Sequence, residues 1–127
     1  MLNGIPDNDL TSGVNYRVIR YADVLLMAAE AHNQSGNDVD AVDYLNQVRQ
    51  RVGMPARTST GNDLYEHILK ERRSELSCEG HRFFDLVRTG KAADVVTDFQ
   101  TGKHELFPIP QVEIDLAGGN WPQNPGY

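Results

Sequence analysis

Apolar positions recur at helical spacing through most of the chain and lose that spacing near its end. Tyr21, Val24, Leu25, Ala28, Ala31 and His32 follow the i, i+3, i+4, i+7 pattern, and Leu26, Met27 and Ala29 widen the arc. The spacing predicts a helix over 21–34 that is apolar nearly all round, as in helices sandwiched between others. Gly36 and Asn37 stop it, and Asp38 or Asp40 can cap the next helix, over 39–51, whose stripe is Val42, Leu45, Val48 and Val52. Gly53 and Pro55 close that one. A third helix over 64–79, capped by Asp63, turns Leu64, Ile68, Leu69, Arg72 and Leu76 inward. Gly80 breaks it, 81–89 forms a shorter fourth helix ended by Gly90, and 91–99 adds a weak turn or helix.

The first two helices make a hairpin with small residues, Ala28, Ala31 and Ala41, near the crossing. Its length and pattern match one tetratricopeptide-type repeat, although any antiparallel helix pair favours small residues and a Gly turn. From His104 the periodicity is lost. Four prolines and repeated Gly and Asn/Gln turns give an irregular tail, in which Pro108 and Pro110 enforce an extended path and 112–116 can form one helical turn. The expectation is an all-α fold: tetratricopeptide-like hairpins with a Pro/Gly-rich C-terminal tail packed across them. Residues 1–15 read as a loop or linker and 16–127 as one helical domain.

Charge narrows the function. Eighteen acidic against twelve basic residues leave −6, which argues against a nucleic-acid binder. Cys78 is the single cysteine, so no internal disulfide forms. The longest apolar run, 24–29, is far short of a membrane span, and no secretory signal pattern opens the chain.

The residues that carry chemistry form no recognisable catalytic set. His32, His67, His81 and His104 are scattered without metal-ligand spacing, and neither phosphate-loop nor dinucleotide glycines occur, so neither metal nor cofactor is expected. Glu71, Glu75 and Glu79 lie along one helix flank rather than facing each other across a substrate, as a glycosidase pair must. Arg72, Arg73 and Arg82 beside them favour the ionised form, the wrong direction for a general acid. Asn33-Gln34-Ser35 fits a glycosylation sequon at a helix end. Trp121, Tyr127, Tyr16 and Phe107 could stack on sugar rings or simply anchor the tail and the start of the first helix, and Trp121 is the one ligand-binding candidate retained.

Five blocks, in order, carry a resemblance: RYADVLLMAAEA (20–31), LNQVRQRVG (45–53), ERRSELSCEGHRFFDLVRTG (71–90), FPIPQVEI (107–114) and QNPGY (123–127). Together they resemble the C-terminal part of the SusD/RagB family. That resemblance implies an outward-facing, outer-membrane lipoprotein of Bacteroidota that captures oligosaccharides or other nutrients over a SusC-like TonB-dependent transporter, and it implies no enzyme activity. The lipidated cysteine and most helical repeats of the family do not appear in this chain, which therefore resembles a C-terminal fragment or shortened member. Glycan contacts in the family come mainly from the part not represented here.

What carries over is structural. Arg20, Glu30, Arg72, Glu75, Glu79, Arg82 and Asp85 are expected to form a buried charged network, so that Arg82→Ala should lower the melting temperature and Arg57→Ala should not. The first helix, short of a covering partner, is expected to self-associate or to make a compensating contact. The competing reading is a tetratricopeptide-type adaptor without glycan binding.

Overall fold

The computed structural model describes residues 17–127; the linker expected over 1–15, and Tyr16, lie outside them. Six helices follow in order: α1 (Tyr21–Gln34), α2 (Asp38–Arg51), α3 (Gly61–Glu75), α4 (Arg82–Arg88), α5 (Ala92–Val95) and α6 (Gln111–Leu116), with no strand among the described residues. The described residues divide into two compact units, one ending at Glu75 and the other running from Leu76 to Tyr127.

In the first unit α1 and α2 form the expected hairpin. Gly36 adopts φ +81°, the left-handed conformation that lets the Asn37 N–H reach back to the His32 carbonyl at 2.9 Å and close the helix end. Asn37, rather than Asp38 or Asp40, caps α2 by accepting from the Asp40 N–H. Asp38 turns elsewhere: its carboxylate accepts from Asn33 Nδ2 at 2.8 Å and from the Gly61 N–H at 2.6 Å. That second bond satisfies an amide at the very start of α3, which is why α3 begins at Gly61 and Asp63 falls inside its first turn instead of capping it.

Ala22, Leu25, Leu26 and Ala29 of α1, Ala41, Leu45 and Val48 of α2, and Leu64 and Ile68 of α3 make one buried cluster, with Val42 and Tyr44 packed against it. Each fully buried Leu or Ile contributes about 1.5–3 kcal/mol relative to exposure. Ala29 and Ala41, both fully buried, supply the small side chains that let the backbones approach. The inward face of α1 is therefore Ala22, Leu25, Leu26, Ala29 and Asn33, not the stripe headed by Tyr21 and Val24. Tyr21 is 73% exposed, and Val24 and Met27 are also exposed. An all-round apolar helix presents two usable stripes, and periodicity cannot choose between them. Ion pairing does.

α3 carries the groups that make the choice. Arg72, 5% exposed, donates from Nη1 to Asp23 Oδ1 at 2.8 Å, with the Asp23 side chain 7% exposed, so α1 must turn Asp23 and its neighbour Ala22 inward. The residue before it, Glu71, accepts from Arg49 Nη1 of α2. One turn on, Glu75 accepts from Arg20 Nη1 at 2.9 Å and, through both oxygens, from Arg51 Nη2 at 2.7 Å. Arg20 Nη2 also donates to the Glu75 backbone carbonyl at 2.8 Å. A continuing helix would offer that carbonyl to the Glu79 N–H, which instead bonds the Leu76 carbonyl at 3.2 Å. So α3 ends at Glu75, earlier than Gly80, and the chain turns through Cys78 (φ +65°) and Gly80 (φ +84°).

In the second unit α4 holds a buried carboxylate of its own. Asp85 accepts from Arg88 Nε at 2.9 Å and Nη2 at 2.8 Å, and its carbonyl accepts from the Thr89 hydroxyl at 2.7 Å. Phe83 meets Phe84 edge-on with centroids 6.0 Å apart and Phe99 at 6.4 Å, and Phe99 in turn meets the His104 ring at 5.7 Å.

The charged set expected from sequence thus has different members. Arg20, Arg72, Glu75 and Asp85 are held as described, and Glu30 and Glu79 are half-buried. Arg82 is exposed at the first position of α4, where Asp85 is bonded by Arg88, and it does not belong to a buried network. An exposed Arg82 contributes little to stability, contrary to the expectation that Arg82→Ala lowers the melting temperature. The burial of Asp23, Arg49 and Glu71 transfers that expectation to their pairs.

Two outcomes follow for chemical denaturation. Arg72→Ala takes the guanidinium away from the buried Asp23 carboxylate and should cost about 3–5 kcal/mol, Asp23→Ala should destabilise as well, and the double variant should fall well short of the sum, whereas Arg82→Ala should stay within about 0.5 kcal/mol. Leu26→Ala should cost about 2–5 kcal/mol and Val24→Ala far less; equal losses would place the wrong face of α1 inward.

Candidate functional site

The tail is built without regular pairing. Pro108 and Pro110 remove two backbone donors from the irregular stretch 106–110, leaving its carbonyls to find partners in side chains. The terminal QNPGY segment supplies them. Gln123 accepts from the Ile109 N–H and donates to the Ile109 carbonyl, each at 2.8 Å. Asn124 Nδ2 donates to the Phe107 carbonyl at 2.6 Å and the Tyr127 hydroxyl to the Leu106 carbonyl at 2.9 Å. Lys103 Nζ lies 4.8 Å from the Tyr127 ring centroid. Gly126 is required twice over: φ is +85°, and an added Cβ would stand 2.9 Å from Lys103 Cδ.

Polar side chains therefore anchor this strap, and its apolar groups stay outside. Phe107 is 74% exposed and Trp121 55% exposed, with Leu116, Val112 and Leu106 exposed as well. Trp121, the candidate named from sequence, presents an open ring on a segment fixed two residues away by Gln123. Tyr127 is partly committed through its hydroxyl and through Lys103. The neighbouring turn is pinned by Glu105, whose Oε2 accepts from the Gly102 N–H at 2.8 Å; that backbone bond, ahead of smaller influences, lowers its pKa below the usual carboxylate value.

The first unit holds a different concavity, an open cleft of about 370 Å³ between the end of α2, the loop after it, and α3. The loop is fixed by side chains of α2. Arg49 Nε donates to the Pro55 carbonyl at 2.8 Å, and Asn46 both accepts from the Arg57 N–H at 2.7 Å and donates to the Arg57 carbonyl at 2.9 Å. Arg57, Lys70, Val52 and Met54 line the cleft beside Glu71 and Glu75.

Other residues singled out in the sequence are absorbed locally. The Asn33 amide is buried and donates to Asp38 and to the Gly61 carbonyl, so its nitrogen is not available for glycosylation. His67 Nδ1 pairs with the Ser59 hydroxyl at 2.8 Å, His104 Nδ1 accepts from the Gln100 N–H, and His32 faces Asp40 at 3.5 Å. Among the described residues no three His, Cys, Asp or Glu side chains converge as metal ligands. The carboxylates of Glu71 and Glu75 are bonded by arginines, which suits structure rather than proton transfer. Asp23, Arg49, Arg51 and Asn46 escaped the sequence reading. An acid beside the most apolar stretch of α1 was the available signal for Asp23, since a buried charge requires a partner.

Comparison with known proteins fits this architecture. Residues 2–105 match the SusD family. The SusD-like protein P2 of Formosa agariphila is 33% identical over 139 residues, covering 95% of this chain and 28% of its own length. The SusD-like protein P38 of the same organism is 41% identical over 92 residues, covering 65% of this chain and 18% of its own. A crystal structure of a SusD-like protein from Bacteroides fragilis NCTC 9343 superposes with TM-score 0.75 at 32% identity, over 97% of this chain and 28% of that one. A SusD homolog from Bacteroides thetaiotaomicron VPI-5482 gives 0.76 at 34% identity, over 85% and 25%. The chain thus spans less than a third of the length of these relatives. On the family match over residues 2–105 and the relatives that agree with it, the chain belongs to the SusD family.

Proposed function

We propose that this chain serves a glycan- or nutrient-binding component of an outer-membrane, SusCD-type uptake system, mainly as its structural C-terminal part. The family match over residues 2–105 is the observation that carries the reading. In it, the partners are a SusC-like TonB-dependent transporter and an oligosaccharide or other nutrient, met at the outward face of the outer membrane. The role is binding, not catalysis. No helix among the described residues is long and apolar enough to cross a membrane, so placement at the membrane in this reading rests on the family's anchoring and its transporter. The net charge of −6 argues against nucleic acid as a partner. Arginine-bonded carboxylates and a loop network held by side-chain amides support a scaffold role, and the exposed ring of Trp121 is the one group proposed for ligand contact.

A second reading, a tetratricopeptide-type protein–protein interaction module without glycan binding, is favoured by one feature. Tyr21, Val24 and Met27 of α1, with Val18 and Ile19 before it, form an exposed apolar set suited to another helix or to a second copy.

A glycan array read with this chain beside the full-length Bacteroides thetaiotaomicron homolog separates the two. The uptake reading expects the homolog to bind and this chain to bind the same glycan far more weakly, with Trp121→Ala removing what remains. Binding by this chain as tight as the homolog's would refute its mainly structural role. A failure of both to bind any glycan, together with a sedimentation mass that rises with concentration and reverts in a Val24→Asp/Met27→Asp variant, would favour the interaction module.

A further inference from the structure

The charges of the first-unit cleft do not balance on this acidic chain. Its two acids are already neutralised: Glu71 accepts from Arg49, and Glu75 from both Arg20 and Arg51. Arg57 and Lys70 remain, and neither makes an ion pair among the described residues. Arg57 is the sharper case. Its Nε is buried and has no hydrogen-bond partner among the described residues. An unpaired buried donor is costly, and folded proteins retain few. The guanidinium cannot relax by moving its backbone, because Asn46 holds both the Arg57 N–H and its carbonyl, and Arg49 holds Pro55 two residues earlier.

We propose that this cleft binds the carboxylate of a small acidic ligand. Arg57 receives the carboxylate, Lys70 of α3 adds a second cation, and Val52 and Met54, each half exposed, contact the ligand's body. Arg57 lines the cleft, and a planar guanidinium fits a planar carboxylate better than a lysine ammonium does. A volume of about 370 Å³ falls at the lower end of small-ligand sites, roughly 300–1,000 Å³. Both an acidic sugar and a short organic acid carry this chemistry. The proposal stands apart from the uptake reading, and its failure would leave that reading untouched.

Calorimetric titration of the chain with glucuronate, propionate and glucose tests it. Glucuronate should bind saturably, glucose should not, and Arg57→Gln should weaken glucuronate binding by about tenfold or more at an unchanged melting temperature. Lys70→Gln, at an exposed position, should weaken it less and keeps the test decisive if Arg57→Gln fails to fold. Binding of propionate as well as glucuronate supports a site for the carboxylate alone; binding of glucuronate only supports an acidic sugar. Equal binding of glucose, unchanged binding by both variants, or no binding of either acid overturns the proposal.

Discussion

The Arg72–Asp23 pair sets the arrangement on which the first unit depends. Both side chains are almost fully buried, and a carboxylate in that position tolerates no rotation of α1 that would take it away from its guanidinium. Replacing such a pair by apolar groups can be neutral or stabilising, so its contribution is best understood as selecting one packing among several. α1 needs that selection. Its apolar residues cover more than one face, and burying Tyr21, Val24 and Met27 in place of Ala22, Leu26 and Ala29 would satisfy hydrophobicity about as well. Pairs at the adjacent Glu71 and at Glu75, about one turn on, repeat the constraint and tie α3 to α2 and to the residue before α1.

Periodicity therefore made the elements legible but not their orientation. The bounds of α1 are those its apolar spacing implies, because Arg20 precedes it in extended conformation and Gly36 ends it with a backbone geometry that other residues resist. The bounds of α3 are set at both ends by long-range partners. Asp38 lies 23 residues from the amide it satisfies at Gly61, and Arg20 lies 55 residues from the carbonyl it takes at Glu75. A local rule about caps and breakers sees neither. Arg82 shows the converse: its spacing to Asp85 suits a helical pair, yet it is Arg88, on the other side of Asp85, that bonds the carboxylate. The candidate site divides the same way. Trp121 could be named from sequence as an amphipathic ring in an irregular tail, whereas Arg57 depends on a loop closure that only Asn46 and Arg49 reveal.

One device recurs in both units. Gln123 bonds the N–H and the carbonyl of Ile109, and Asn46 bonds the N–H and the carbonyl of Arg57. A side-chain amide offers one acceptor and two donors, so it can replace the neighbouring strand that an extended residue would otherwise need. In a chain with no strand among its described residues, this answers the question of where loop backbone groups find partners. It does so at particular residues, which a β-ladder does not. Each amide fixes one residue and leaves the side chain of that residue directed by the geometry of the clamp.

That division of labour bears on function. Where loops are held by buried hydrophobic side chains, their aromatic groups are consumed by the core. Here the strap is held by Gln123, Asn124 and the Tyr127 hydroxyl, and Phe107 and Trp121 are left facing outward. Exposed aromatic rings on a fixed backbone lose little conformational entropy when they bind, because the segment that carries them is already ordered. The same reasoning applies to Arg57, whose backbone is held before any ligand arrives. A scaffold that uses polar side chains on its own loops thus leaves one aromatic ring exposed and one guanidinium held in place, in separate units of the chain, which is what the two binding proposals require.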